Sequence, residues 1–432
     1  MGRIIDLDIH HITRVEGHGN IRLNVRDGKI EACHFDIVEA PRFFEAMIRG
    51  RHFDEAALIT SRICGICSVG HQLASLAATE DAFSLSLSTQ EKCLRRLLNA
   101  GEYFESHTLH IYFLAIPDFV GAKSVLPLVK THRDVVIHAL KLKKYGHDIG
   151  DIIGGRLVHP MASNVQAMTK TPTPKELFSI IAWMQEAKME LMINATTLAN
   201  LSLPDFDRET EYISLYQPGT YALLEGDIFS SDTGVASYKS YRELTQEFVI
   251  PSSTAKRCKH TRDSFMVGAL ARFNNNYQWL SDNAKSIAEH LNLAPKCTNP
   301  YKNTLAQYVE LVHLADDAID AAQTLLEMAQ PLKVEERVVS PVAGIGIGAV
   351  EVPRGILYHE YAYNEKGFIE KANCVIPTGQ NGQNIENDMH ALVPQIVDKT
   401  DEEITLMMEM LVRAYDPCIS CSTHLLDVEI IR

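Results

Sequence analysis

Four cysteines stand as two C-x-x-C pairs at opposite ends of a 432-residue chain. The first lies in Arg62-Ile63-Cys64-Gly65-Ile66-Cys67-Ser68-Val69-Gly70-His71, the second in Asp416-Pro417-Cys418-Ile419-Ser420-Cys421-Ser422-Thr423-His424. One pair cannot fill a coordination sphere, whereas two supply a complete tetrahedral set of thiolates. From the spacing, four chemistries compete: a structural zinc site, an iron–sulfur cluster, a dithiol redox pair, and a mixed transition-metal centre, since soft thiolates also take nickel and iron. Zinc ribbons keep their pairs close together in sequence. Here the pairs are far apart, and each has a histidine after it and a charged residue before it, Arg62 or Asp416. A structural zinc does not need such groups, which point to hydrogen-bonding partners around the ligands or to a second metal.

Composition narrows the class. Hydrophobic residues make up 46% and charged residues 22%, an ordinary globular balance. A net charge of −14 argues against duplex DNA or an anionic membrane as partner. No apolar run reaches about 18 residues, so no membrane span is expected. The remaining cysteines, Cys33, Cys93, Cys258, Cys297 and Cys374, have no cluster spacing and read as small buried hydrophobes. With an odd total of nine and no apolar signal segment in MGRIIDLDIHHITR, a cytoplasmic location without a disulfide framework is expected.

The elements that must position the pairs are legible as patterns. Ile21-Arg22-Leu23-Asn24-Val25 followed by Arg26-Asp27-Gly28 predicts a hairpin in a small α/β region over residues 1–60. The segment His11-Ile12-Thr13-Arg14-Val15-Glu16-Gly17-His18-Gly19, dense in ionisable groups, reads by itself as a polar turn. Phe43, Phe44, Met47 and Ile48 fall at helical spacing, a short helix follows Asp54, and Ser68 to about Phe83 reads as helical. Ser88-Thr89-Gln90-Glu91 fits a capping box for a long helix that runs to Ile116, carries His107 and His110, and is stopped by Pro117. Further helices are expected over 124–149, 174–201, 277–292 and 303–330, with Met184, Met189 and Met192 as core, so that residues 61–330 read as a helical bundle.

Residues 331–432 read as a β and loop region with a C-terminal helix. Val338 to Val352 includes Gly344-Ile345-Gly346-Ile347-Gly348, which lacks dinucleotide-fingerprint spacing. Ile356 to His359 is strand-like, and Cys374 to Gln380 reads as loop-rich. Thr400-Asp401-Glu402-Glu403 caps the last helix, and Asp416 before Pro417 is biased to extended backbone. The expected fold is mainly α with an α+β periphery: one unit over 1–432, a small β region at the N-terminus, a central long-helix bundle, and both cysteine pairs meeting on one buried site.

Arg-x-Cys-Gly-x-Cys-x-x-x-His near the start and Asp-Pro-Cys-x-x-Cys-x-x-His at the end together resemble the catalytic large subunit of nickel–iron hydrogenases. Arg14-Val15-Glu16-Gly17-His18, Arg42-Phe43-Phe44-Glu45, Pro117-Asp118, Pro353-Arg354-Gly355 and Pro377-Thr378 stand in that family's order, so the resemblance spans essentially the whole chain. The motifs look most like those of the soluble cytoplasmic multi-subunit hydrogenases. The resemblance implies that Cys64, Cys67, Cys418 and Cys421 bind nickel, with Cys67 and Cys421 bridging to an iron that carries CO and CN ligands. It implies heterolytic cleavage, H2 ⇌ 2H+ + 2e−, with the Cys418 thiolate taking the proton and Glu16 carrying it away. Arg354, following Pro353, is implied over the open metal position, oriented by Asp118 and Asp416. Thr378 would hydrogen-bond a cyanide, and His71 would support the bridging sulfurs.

Glu45, His424 and the backbone carbonyl of Cys374 are implied as ligands of a Mg2+ or Fe2+ ion. The implied partners are an obligate small subunit that holds the iron–sulfur clusters, with the Arg14–His18 loop near its interface, and further diaphorase or electron-carrier subunits. A maturation protease is implied as well, cutting after His424 and ahead of Leu425 to Arg432. Two other readings stand beside this one. A non-catalytic structural subunit of an electron-transfer complex would lack the four cysteines, and a zinc-stabilised helical scaffold would hold zinc without nickel.

Overall fold

The structure is a computed structural model and describes residues 4–423. It opens with an antiparallel sheet of β1 (Ile4–Ile9), β2 (Gly19–Arg26) and β3 (Lys29–Ile37). Ile21, Leu23 and Val25 are buried while Arg22 and Arg26 face solvent, the period-2 pattern of a half-buried strand. Asp27 and Gly28, at φ +48° and +73°, make the tight turn that their sequence predicts.

Short helices α1 (Phe44–Ile48) and α2 (Phe53–Thr60) lead into α3 (Ser68–Ala82). α3 is buried nearly all round, which marks it as a central helix. α4 (Thr89–Thr108) starts at the expected Ser88/Glu91 capping box. Pro117 does not stop it. The chain passes through a π-helical segment, Leu109–Ala115, into α5 (Ile116–Phe119), where Pro117 sits in the first turn and its missing N–H costs no hydrogen bond. The bundle continues with α6 (Leu128–Thr131), α7 (Arg133–Gly154) and α8 (Pro174–Ala199). On α8, Met184 is in the core, but Met189 and Met192 are exposed at 57% and 40%, so the methionine stripe is only partly core.

The stretch that reads as uninterrupted bundle contains a mixed sheet in the order β6-β5-β4-β7. Its strands are β4 (Glu211–Tyr216), β5 (Asp227–Ser230), β6 (Gly234–Ala236) and β7 (Phe265–Met266). These strands are too short for hydrophobic periodicity to reveal. Among and after them run α9 (Tyr241–Thr245), α10 (Ala269–Asn276), α11 (Asp282–His290) and α12 (Asn303–Glu327).

The last third holds an antiparallel meander of β8 (Gly344–Val352), β9 (Gly355–Tyr363) and β10 (Ile369–Val375). It is followed by α13 (Pro377–Ile396), α14 (Asp401–Ala414) and α15 (Ile419–Ser422). The alternate glycines of β8 turn one face onto α3. A Cβ on Gly346 would lie 1.9 Å from the Ala78 carbonyl oxygen, and one on Gly348 would lie 2.1 Å from that of Ala74. The strand therefore rests its backbone directly on the helix. Residues 374–380 are not a loop: β10 ends and α13 begins within them, with Pro377 in the first helical turn.

Candidate metal centre

The two cysteine pairs meet. Cys64 follows a 3-10 turn, Ser61–Ile63, and Cys67 is the N-cap of α3. The amides of Ile66 and Cys67 each donate to Cys64 Sγ at 3.2 Å, so the loop closes around the sulfur. Cys418 is the N-cap of α15, and Cys421 lies within that helix. The four sulfurs lie within 4.8 Å of one another and all four residues are buried. Cys64 and Cys418 are 3.4 Å apart, Cys67 and Cys421 3.6 Å, and Cys418 and Cys421 2.8 Å.

The electrostatics of this cluster call for a cation. The Cys64 thiol is held well below the ordinary range, first by hydrogen bonding from Cys418, then from Cys421 and Cys67. At Cys67, hydrogen bonds from Cys418 and Cys421 pull downward, but its bond to Cys64, burial and the Cys64 charge push the thiol up to about 11. Burial and the neighbouring sulfurs push Cys421 up as well, and Cys418 is raised despite its hydrogen bond from Cys421. Of the four sulfurs, only Cys64 is drawn toward the thiolate, while the other three are held toward the neutral thiol. Four thiolates require a soft metal to neutralise them, and the donor set fits one.

Glu16 lies beside this cluster. Its Oε2 accepts from Cys418 Sγ at 3.2 Å and from Ser420 N at 3.1 Å, while its carbonyl oxygen accepts from Ile419 N at 3.0 Å. The residue is half-buried, so it stands between the buried sulfur and the surface. Gly17 makes the approach feasible: at φ +85°, a Cβ there would come within 2.8 Å of Ile419 Cβ. A polar turn in sequence is thus a strap across α15.

Arg354 is buried beside the same sulfurs. Its Nε donates to the Asp416 carbonyl oxygen at 2.8 Å, its Nη2 to Asp416 Oδ1 at 3.0 Å, and its Nη1 to Ser106 Oγ at 3.2 Å. Asp416 is left-handed at φ +50°, not extended, which is unfavourable ahead of a proline. Three partners hold it: Arg354, Gln307 Nε2 at 3.0 Å, and the Arg413 carbonyl oxygen, which accepts from Asp416 N at 2.9 Å. Asp118 does not orient Arg354. Among the described residues its carboxylate instead binds Arg413, at 2.7 and 3.1 Å, and Arg14. The Pro353 carbonyl oxygen accepts from Arg272 at 3.1 Å.

Thr378, in the first turn of α13, accepts from Cys418 N through Oγ1 at 2.9 Å. His71 meets His359, Nδ1 to Nε2 at 3.2 Å, and His359 continues to Tyr361 OH at 2.6 Å. Burial pushes the His71 imidazole down to about 4, so it is neutral at physiological pH. Glu45 Oε1 accepts from Cys374 N at 2.7 Å, and burial raises its carboxyl. Arg42 N donates to the Thr423 carbonyl oxygen at 2.6 Å, bringing the end of the described chain next to this pair. His424, and the Leu425–Arg432 segment after it, lie outside the described residues.

Several further residues brace the site. Gln307, Ser106 and Arg413 hold the Asp416–Arg354–Asp118 layer through the contacts above. His110 links Gln307 Oε1 at 2.5 Å to the Arg413 carbonyl oxygen at 2.7 Å. Glu102, fully buried, accepts from Val69 N at 2.7 Å and Gly70 N at 3.1 Å, fixing the first turn of α3 behind Cys67. Burial raises its carboxyl well above the usual range. His110 is already singled out in the sequence with His107; the others are ordinary helix residues that only proximity in space marks.

A sequence profile of the nickel-dependent hydrogenases matches residues 42–136 and 240–424, and one described as HoxL-like matches residues 6–40. The chain belongs to the nickel-dependent hydrogenase family. The alpha subunit of sulfhydrogenase 1 from Pyrococcus furiosus is 33% identical over 430 residues, covering 97% of this chain and 98% of its own length. An F420-non-reducing hydrogenase subunit from Methanothermobacter thermautotrophicus is 30% identical, covering 98% of this chain and 96% of its own. In fold, this hydrogenase chain superposes on the solved structure of an NAD+-reducing [NiFe]-hydrogenase in the H2-reduced state with a TM-score of 0.86 at 24% identity, over 98% and 99% of the two chains. The chain is thus an oxidoreductase of the nickel-dependent hydrogenase family, and its four converging cysteines form a buried set that could hold a metal. No helix among the described residues is long and apolar enough to cross a membrane.

Proposed function

We propose that this chain is the catalytic large subunit of a nickel–iron hydrogenase that cleaves H2 reversibly into protons and electrons. The observation that carries this reading is the set of four buried sulfurs within 4.8 Å, with a half-buried carboxylate 3.2 Å from one of them. When bound, the nickel–iron group supplies the redox chemistry and polarises H2 for heterolytic cleavage. Cys64 and Cys418 would hold nickel through their thiolates, and Cys67 and Cys421 would hold nickel and iron together. The Cys418 sulfur takes the proton, and Glu16 Oε2 carries it outward, a transfer within hydrogen-bond reach. Arg354, held by Asp416, presents a fixed positive charge to the sulfurs. Thr378, which already accepts from Cys418 N, would have its hydroxyl hydrogen free to orient an iron ligand. His71 supports the bridging sulfurs from α3.

CO and CN on the iron, and a Mg2+ or Fe2+ ion held by Glu45, the Cys374 carbonyl and His424, complete the reading. Electrons leave to an iron–sulfur small subunit that docks near the Arg14–His18 loop. Further electron-carrier subunits, a cytoplasmic location and trimming after His424 by a maturation protease follow the same family logic. The relatives' names, alpha subunits of multi-component hydrogenases among them, support this assembly. The whole chain 1–432 acts as one unit, because the site is built from both its ends. Infrared spectroscopy of the purified complex is the test: bands of metal-bound CO and CN are expected, together with nickel by elemental analysis. Zinc without nickel, and no such bands, would overturn it in favour of a scaffold.

A further inference from the structure

Apart from the metal centre, the molecule carries a cavity of about 740 Å³ between α3, α4, α12 and β8. That is the size of a small-molecule site. Leu73 and Ala77 of α3, Leu314 of α12, and Ile347, Ala349 and Val350 of β8 give it apolar walls. Its charges are matched one to one. Arg95 pairs with Glu80, Arg96 with Asp317 at 2.5 Å, Lys92 with Glu225 at 2.9 Å, and Lys239 with Asp81 at 3.0 Å. Every cation is answered by a carboxylate, so the cavity offers no net charge to an anion such as a phosphate.

The polar groups left over are specific. Lys92, Arg95, Arg96 and Asn99 share one face of α4 by their three- and four-residue spacing. Asn99 is only 2% exposed, yet its carboxamide makes no hydrogen bond among the described residues, and its Oδ1 is a buried acceptor without a partner. Arg95, 5% exposed, spends its terminal nitrogens on Glu80 and leaves Nε–H without one. His313 accepts from Ser281 N through Nδ1 at 3.1 Å, and burial lowers its pKa, so the neutral ring carries its proton on Nε2. Buried polar groups without partners call for an explanation. An amide offers a donor and an acceptor side by side, and the complement of that pair is another amide edge.

We propose that this cavity binds a neutral, planar heterocycle with a cyclic amide or imide edge, read in two-point fashion by the Asn99 carboxamide. The Arg95 Nε–H and the His313 Nε2–H supply donors for a second carbonyl, and the aliphatic walls cover the ring faces. A single-ring imide and a fused tricyclic imide share this chemistry. The cavity's size favours the larger, and the experiment separates them.

The test uses the assembled hydrogenase complex, titrated with lumichrome, a fluorescent tricyclic imide, with 3-methyllumichrome, whose methyl group caps the imide N–H, and with uracil. Saturable binding of lumichrome is expected, weakened on the order of tenfold by Asn99→Leu, the loss expected for two amide hydrogen bonds. 3-Methyllumichrome should bind as weakly to the wild type as to Asn99→Leu. Ala77→Phe, which fills the cavity from α3 and leaves the amide in place, should also block lumichrome. H2 oxidation with an artificial dye should be unchanged in either variant, because neither residue belongs to the metal centre. Uracil binding with lumichrome excluded would assign the single-ring member of the class, and the converse the tricycle. Failure of both to saturate, or lumichrome binding indifferent to Asn99→Leu and to N-methylation, would overturn the proposal.

Discussion

Cys418 carries more contacts with chemical consequence than any other residue at the centre. Its sulfur touches Cys64, Cys421 and the Glu16 carboxylate, and its amide is tied to Thr378. Replacing the sulfur by oxygen in Cys418→Ser keeps the shape but removes the proposed soft ligand and proton acceptor. H2 turnover should fall below detection by gas chromatography, and undiminished activity would refute the assignment. Glu16→Gln is the milder change, since the amide keeps the volume and an acceptor oxygen but cannot carry a proton. Nickel content should hold while H2/D2O exchange falls roughly 10²- to 10⁴-fold, the usual worth of a positioned acid–base group. Exchange at the wild-type rate would show that protons leave elsewhere.

The element that most constrains the site is the contact of β8 on α3. β8 runs into Pro353 and Arg354, while Cys67 caps the start of α3, so their packing sets where the arginine lies beside the sulfurs. Because a Cβ on Gly348 would meet the Ala74 carbonyl at 2.1 Å, Gly348→Ala must push strand and helix apart. A loss of about 1–3 kcal/mol or more is expected from such overpacking. Calorimetry would read the stability, and nickel per chain should drop in parallel. This contact also shows where sequence reading reaches its limit. The glycine alternation is visible in sequence but fails only as a nucleotide loop, whereas its period of two is the mark of a strand face pressed on a helix. α13 escapes for a different reason: its opening, Pro377-Thr378-Gly379-Gln380-Asn381-Gly382, has poor helix propensity. Burial and side-chain hydrogen bonds, such as Gln380 Nε2 to the Ile356 carbonyl oxygen at 2.7 Å, hold it helical. Capping boxes at Ser88 and Thr400, by contrast, are legible because the interaction is local.

At the scale of the molecule, distant segments are tied by buried charge. Arg272 of α10 binds Glu310 of α12 at 2.6 and 2.8 Å and Glu351 of β8 at 2.8 Å, while His107 of α4 meets Glu310 at 2.8 Å. Burial pushes the Glu310 carboxyl up, but the Arg272 charge and its hydrogen bonds outweigh burial and hold it at about 2. A carboxyl depressed on folding contributes stability that is fully present above its unfolded value of about 4.3 and is lost as pH falls toward the folded value. Denaturant unfolding of the wild type should therefore weaken steadily from about pH 4.5 downward. Glu310→Gln should flatten that slope and cost about 3–5 kcal/mol near pH 7, because Arg272 is left buried with less compensation. An equally steep acid slope in the variant would place the acid sensitivity in other groups.

The sequence by itself determined the ligand types, the two pairs that hold them and the local devices, caps and turns, whose physics spans only a few residues. It also carried enough motif to reach the family. The tertiary structure alone decided which acids face which cations. Asp118 binds Arg413 and Arg14, Asp416 takes a left-handed backbone to meet Arg354, and Gln307 and His110 join the layer from other helices. Ion pairs and hydrogen bonds act over about 3 Å in space whatever the separation in chain, and a separation of 295 residues between Asp118 and Arg413 leaves no local pattern to read.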